Sequence, residues 1–283
     1  MEYELVKCDL KNIPCFGVAG NFTEHLEQAG EADFFKDDFF DKNSPKAIFP
    51  TYFPKPSSVI PRFLNVFPFS SKIISFPPGE KKIQIESECA VVFDLIWKNG
   101  FISDMKSVCF SASNDCSIRK AGSVKISQKK NWGENSKGFS EKAIALPSFD
   151  KNSLLSDYRI KSYLFRNGKA YEYGEDSPVR EYSCVFKNLT YWLIEKFNTQ
   201  KDEGVTENLL SYMNSIGNPE RIMVSLGSTR YTEFGNENYL QKSDEALVIL
   251  YPESRYTKEK IAALVENRDF SCDDIIFLNQ KIV

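Results

Sequence analysis

A chain of 283 residues is long enough to bury a full core, as one large domain or two small ones. Its 42% hydrophobic and 27% charged residues are those of a globular protein, and a net charge of −3 gives no electrostatic reason to expect nucleic acid or an anionic membrane as partner. No run approaches ~18 consecutive apolar residues, so no apolar membrane helix is expected. Met1-Glu2-Tyr3-Glu4 lacks the basic and apolar regions of a signal peptide. Seven cysteines form no CxxC pair and no Cys/His zinc pattern, and read as free thiols of a reducing compartment. A cytoplasmic protein is therefore expected, and the N-x-T matches at Asn21 and Asn188 read as chance. The 23 Phe and 13 Tyr point to a β-rich interior, since flat rings suit a pleated, half-buried face.

Residues 1–20 predict a short strand and a turn into Gly20-Asn21, after which Asn21 or Thr23 caps a short helix over residues 23–29. Residues 31–80 carry many Phe and Pro, and proline removes the backbone donor, so a long ordered loop or lid with short extended pieces is expected. Loops of that length often serve a site. From Lys82 to Trp97, alternation followed by an apolar run predicts a strand, half-exposed at first and buried later. Ser107 to Ser113 predicts a second strand ending at Asn114-Asp115. Residues 119–138 are polar and basic and predict a loop or short helix over the surface.

Tyr158 to Phe165 alternates, stops at the hairpin signal Asn167-Gly168, and returns over Lys169 to Tyr173. Val185 to Phe197 has helical spacing, and Val205 to Ile216 has it more weakly. Arg221 to Leu226 and Glu245 to Tyr251 predict strands flanking a 227–243 loop, and Thr257 to Asn267 predicts an amphipathic helix. With no repeat and no obvious linker, residues 1–283 are expected to form one mostly-β α+β domain.

Glu86 and Glu88, at i and i+2 of a strand, point to one face. Paired carboxylates entering a core repel one another, and a hard cation such as Mg²⁺ removes that penalty. A solvated strand face is the plain alternative. Asp115 ends an apolar strand, where it serves as a cap or turn or supplies a third oxygen ligand. His25, the single histidine, is a surface or core residue or the one base suited to neutral pH. Lys137, in Ser136-Lys137-Gly138, is a solvated lysine or a cation that steadies an enolate. Gly227-Ser228-Thr229 is a turn or a cradle for an anion. There is no G-x-S-x-G, H-E-x-x-H or G-x-G-x-x-G.

In order along the chain stand Gly20-Asn21-Phe22-x-x-His25, Glu86-Ser87-Glu88, Asp115-Cys116-Ser117-Ile118-Arg119, Ser136-Lys137-Gly138-Phe139, Arg166-Asn167-Gly168 and Gly227-Ser228-Thr229. This series resembles the fumarylacetoacetate hydrolase superfamily, as a divergent branch. The resemblance implies a distorted mixed β-roll of the fumarylacetoacetase C-terminal type with a few peripheral helices, and a homodimer. It implies Mg²⁺ or Mn²⁺ held by Glu86, Glu88 and Asp115, catalytic His25 and Lys137, and substrate contacts from Asn21, Arg119, Gly227 and Ser228. The implied substrate is a small 2-oxo or 2,4-diketo acid, and the implied reaction C–C hydrolysis or decarboxylation through a metal-stabilised enolate. In hydrolytic members a glutamate commonly follows the histidine by three residues, and here that position is Gln28, which holds no charge. The alternative is thus a non-catalytic small-molecule or metal-binding protein that kept the fold but lost the His–Glu dyad.

Overall fold

Alternating apolar residues build three sheets in the computed structural model, which describes residues 3–22, 28, 45–119 and 125–283. The first sheet holds β1 (Leu5–Val6), β2 (Cys15–Ala19), β3 (Ala47–Tyr52), β4 (Phe69–Ser70), β7 (Ser87–Lys98), β8 (Phe101–Asn114), β10 (Lys137–Phe139), β11 (Ala143–Ala145) and β14 (Arg221–Ser225). Its main order is β1-β11-β8-β7-β14-β2-β3, with β10 joined to β8 and β4. The second sheet runs β13 (Lys169–Pro178), β12 (Tyr158–Arg166), β15 (Glu245–Pro252), β16 (Ile276–Ile282), β5 (Ile73–Ile74). A two-stranded piece pairs β6 (Ile83–Gln84) with β9 (Ser117–Ile118). Antiparallel pairing dominates, but β14 with β2, β10 with β4 and β16 with β5 are parallel. The fold is a mostly-β α+β fold with mixed sheets and few helices, as expected.

The β7–β8 hairpin is the spine of the first sheet. Asn99 and Gly100, both at positive φ (54° and 79°), close it with a two-residue turn whose twist suits the strands. At its open end the hairpin continues, past a break at residues 85–86 and 115–116, into the β6–β9 pair. Helix α2 (Phe186–Thr199) lays Leu189, Leu193 and Phe197, one face at i, i+4 and i+8, against the core. Phe197 meets Phe16 of β2 edge-on at 4.9 Å, and Phe110 of β8 meets Tyr158 of β12 at 4.9 Å across the two sheets. No helix among the described residues is long and apolar enough to cross a membrane.

Several expectations change. The 31–80 segment contains, among its described residues, the fully buried strand β3, which tolerates Pro50 because it is the sheet's edge. The strand expected to be exposed early and buried late does the reverse: Ile83 to Phe93 is buried, while Ile96, near the hairpin tip, is 41% exposed. The 119–138 segment does not lie over the surface in its described part, since α1 (Ser127–Lys130) buries Ser127, Lys129 and Lys130. The helix over 23–29 falls outside the described residues except for Gln28.

A strand not expected from the sequence is β16, whose Ile276, Leu278, Gln280 and Ile282 alternate inward. Gln280 is fully buried and ties the two sheets together. Its amide nitrogen donates to the carbonyls of Ser70 (2.9 Å), Ile73 (3.2 Å) and Lys137 (3.3 Å), and its oxygen accepts from Asn114 Nδ2 (3.1 Å). Gly138 permits this crossing, because a Cβ there would stand 2.3 Å from Gln280 Oε1 and 2.8 Å from Asn114 Cβ. Gly138→Ala is therefore expected to lower stability by about 2 kcal/mol or more in urea unfolding. A loss under about 0.5 kcal/mol would show that the Gln280 crossing does not constrain this strand.

Candidate metal centre

The open end of the β7–β8 hairpin gathers the acidic residues. Ser87 pairs with Asn114 and Glu88 with Ser113, Asp115 N donates to the Glu86 carbonyl (2.9 Å), and Glu86 N donates to Asn114 Oδ1 (3.2 Å). This lattice brings Glu86, Glu88 and Asp115 together. All three are buried, with one carboxylate oxygen from each within 4.8 Å of the others. A solvated strand face is thereby ruled out for the two glutamates.

Among the described residues, three cations surround them. Arg119 Nη2 lies 2.7 Å from Glu86 Oε1, and Lys137 Nζ lies 2.8 Å from Asp115 Oδ1 and donates to the Cys116 carbonyl at 2.6 Å. Lys130 Nζ stands between two of the acids, 2.5 Å from Glu86 Oε2 and 2.7 Å from Asp115 Oδ2. The Asp115 contact is an ion pair outside hydrogen-bond alignment, so that Oδ2 is buried without a hydrogen-bond partner among the described residues. Glu88 receives the backbone N–H of Gly227 at 2.9 Å. Its carboxyl is nonetheless pushed well up, first by burial and then by the Asp115 and Glu86 charges. Burial pulls the Lys137 ammonium down against the opposing pull of Asp115.

The donor set suits a divalent cation: three buried carboxylates of suitable spacing, one oxygen of which has no hydrogen bond from the described residues. A cavity of about 20 Å³ adjoins it, lined among the described residues by Gly20, Asn21, Phe49, Glu86, Glu88, Lys130 and Ser228. Such a space holds a water or an ion.

The other expected site residues divide. Ser228 is buried and lines the cavity. Gly227, at φ +112°, gives its N–H to Glu88, and a Cβ there would crowd Asn21 Cβ at 3.1 Å. The Asn21 amide is taken by backbone, donating to the Cys184 and Leu226 carbonyls and accepting from Cys184 N. Arg119, besides Glu86, donates to Gln84 Oε1 (2.7 Å) and the Tyr231 hydroxyl (2.7 Å), so it acts as a brace for the acid. His25 lies outside the described residues. Gln28 clamps the backbone of Tyr231, accepting from its N–H at 2.8 Å and donating to its carbonyl at 3.2 Å. A glutamate could not make the second of these bonds.

Lys130 was missed by the sequence reading, since a lysine among Ser, Gly and Asn reads as solvated. The sole hint is the apolar pair Ile126 and Trp132 that flanks it. Its helix is held from behind by Glu207, whose Oε1 accepts from Ser127 Oγ at 2.5 Å while Oε2 has no hydrogen-bond partner among the described residues.

The chain shares its fold with solved structures that include three enzymes, as the resemblance to the fumarylacetoacetate hydrolase superfamily implies. A 2-keto-3-deoxy-D-arabinonate dehydratase complexed with magnesium and 2,5-dioxopentanoate superposes with TM-score 0.55 at 13% identity, covering 96% of this chain and 73% of that one. The 5-carboxymethyl-2-hydroxymuconate delta-isomerase of Mycobacterium smegmatis gives 0.52 at 13%, over 98% and 81%. The 2-hydroxyhepta-2,4-diene-1,7-dioate isomerase of Mycobacterium marinum gives 0.54 at 10%, over 98% and 77%. Likeness at this identity concerns the fold alone. By sequence, the chain belongs to the family described as "Family of unknown function (DUF5718)", matched over residues 30–282. No curated protein matches it.

Burial pushes the Glu207 carboxyl up to about 7, against the pull of Ser127 and Lys125. The folded chain thus holds this proton more tightly than the unfolded chain, where the ordinary value is 4.5. Its stabilising contribution is full below that value and is lost as pH rises through about 7. Glu207→Gln, which keeps an acceptor for Ser127, should flatten the pH dependence between these limits. It should raise stability at pH 8 by at most roughly 3 kcal/mol. Urea midpoints of both proteins at pH 5 and pH 8 test this, and an unchanged pH slope in the variant would refute it.

Proposed function

We propose that this protein is an enzyme acting on a small 2-oxo or 2,4-diketo acid with Mg²⁺ or Mn²⁺ held by Glu86, Glu88 and Asp115. One observation carries the reading. The three buried carboxylates lie within 4.8 Å of one another, on a frame shared with a keto-acid dehydratase whose structure contains magnesium. When bound, the metal supplies Lewis acidity toward a chelating keto-carboxylate.

The chain's own groups then have separate tasks. Lys137 Nζ, fixed by Asp115 and the Cys116 carbonyl, offsets negative charge that builds on a substrate oxygen. Arg119 holds Glu86 in place, with Gln84 and Tyr231 fixing the guanidinium. Ser228 Oγ meets the substrate carboxylate at the cavity wall. His25 takes or returns the proton. Position 28 brings it no carboxylate, because Gln28 is spent on Tyr231. That favours decarboxylation or another lyase reaction over water-driven C–C hydrolysis. A homodimer in the cytoplasm belongs to the same reading.

The second reading, a protein that binds metal or a small molecule without turnover, draws on the same Gln28 clamp and on the Lys130 ammonium among the acids. Thermal melts with Mg²⁺ or Mn²⁺ address the metal. At 100 times Kd, a bound ion adds about 2.7 kcal/mol, a rise of several degrees. Glu86→Ala and Asp115→Ala should remove the rise, and equal responses in all three proteins would eliminate the site. Oxaloacetate decarboxylation and acylpyruvate hydrolysis, assayed with wild type and His25→Ala, then separate the readings. Turnover lowered roughly a hundredfold in His25→Ala supports the enzyme. Metal binding with no turnover of either class supports the binding protein, and unchanged turnover in His25→Ala removes the histidine from the mechanism.

A further inference from the structure

Lys130 competes for the same oxygens as the proposed ion. Its Nζ touches Glu86 Oε2 and Asp115 Oδ2 at 2.5 and 2.7 Å, and its side chain is 4% exposed. Among the described residues, Lys130, Lys137 and Arg119 set three positive groups against three carboxylates. Those residues alone leave no charge deficit for a divalent ion to fill. An ion bound to those two oxygens would meet the ammonium at short range in a buried setting, where like charges repel strongly.

The lysine is also seated as a built part. The Phe49 ring lies 5.1 Å from its Nζ, and that ring rests on Gly17, where a Cβ would come within 2.3 Å. The short helix that carries it is fixed at Ser127 by Glu207, at Ile126 N by the Val205 carbonyl (3.2 Å), and at Asn131 by the Thr51 and Val66 carbonyls. The adjoining cavity of about 20 Å³, which Lys130 lines, is too small for a keto acid.

We propose that Lys130 is the resident cation of the Glu86–Glu88–Asp115 cluster, and that a divalent metal enters only by displacing it. This rests on the cluster being a cation site. Metal affinity is then set by a competition within the chain, and withdrawal of the lysine opens the cavity that a substrate needs. The ammonium is a tethered plug, exchanged for a metal ion.

Titration with Mn²⁺, read as loss of the free-ion EPR signal, tests this on wild type, Lys130→Gln and Lys130→Met. Binding at least tenfold tighter in the variants is expected. Variants that bind while wild type does not would uphold the plug and refute a metal-dependent activity of the native chain. Equal affinities in all three would overturn the plug and leave the metal reading standing. Folded variants that bind no Mn²⁺ would overturn both. Should both variants unfold, acetylation of wild-type lysines read by mass spectrometry decides. A severalfold rise at Lys130 on adding Mn²⁺ supports displacement, and no rise overturns it.

Discussion

Everything at the centre of this molecule depends on a buried balance of charge. Glu86, Glu88 and Asp115 could not be taken out of water together without positive partners, because unpaired buried carboxylates carry a severe desolvation penalty. Arg119, Lys130 and Lys137 supply them, each from a different element: the end of β9, the short helix α1 and the strand β10. The break in the long hairpin at residues 85–86 and 115–116 makes the room. Where the β7–β8 ladder gives way to the β6–β9 pair, side chains that would otherwise stand on a flat sheet converge on one point.

The surrounding residues serve that balance in layers. Gln28 holds Tyr231, the Tyr231 hydroxyl receives Arg119, and Arg119 holds Glu86. Glu207 holds Ser127 at the start of the helix whose last residue is Lys130. Gln280 receives Asn114 and binds the Lys137 carbonyl, so the paired strands β8 and β10 share one side chain. A neutral amide recurs at positions 28, 84 and 280. It can donate and accept at once without adding charge to a site already crowded with acids and cations.

The acidic half of this arrangement was legible in the sequence and the basic half was mostly not. Glu86 and Glu88 were legible as a pair, although only Glu88 lies on the strand and Glu86 stands in the break before it, and the resemblance added Asp115 and Lys137 in chain order. Asn167-Gly168, the 186–199 helix and the 258–266 helix likewise stand close to where their local signals put them. Lys130 pairs with an acid 44 positions earlier, and no local pattern encodes which surface of a four-residue helix faces inward. Asn21 and Gly227 were located near the cavity, but their bonds go to backbone and to Glu88. A motif gives a residue's neighbourhood, and the competition for its hydrogen bonds is settled by the packed structure. The strand β16 carries its alternation at the end of the chain, where the signal of the preceding amphipathic helix is the stronger one.

That strand has a bearing on how the molecule comes into being. Gln280 closes on Lys137 and Asn114 across 143 and 166 residues of chain. Contacts so distant in sequence each require a long loop to close, and a fold rich in them folds more slowly than one built of local contacts. Without them the strand bearing Lys137 lacks its anchor on the second sheet. Acids that stay in water until their cations are within reach avoid the penalty of an unpaired buried charge. The route to the native state need not pass through a buried, half-compensated charge.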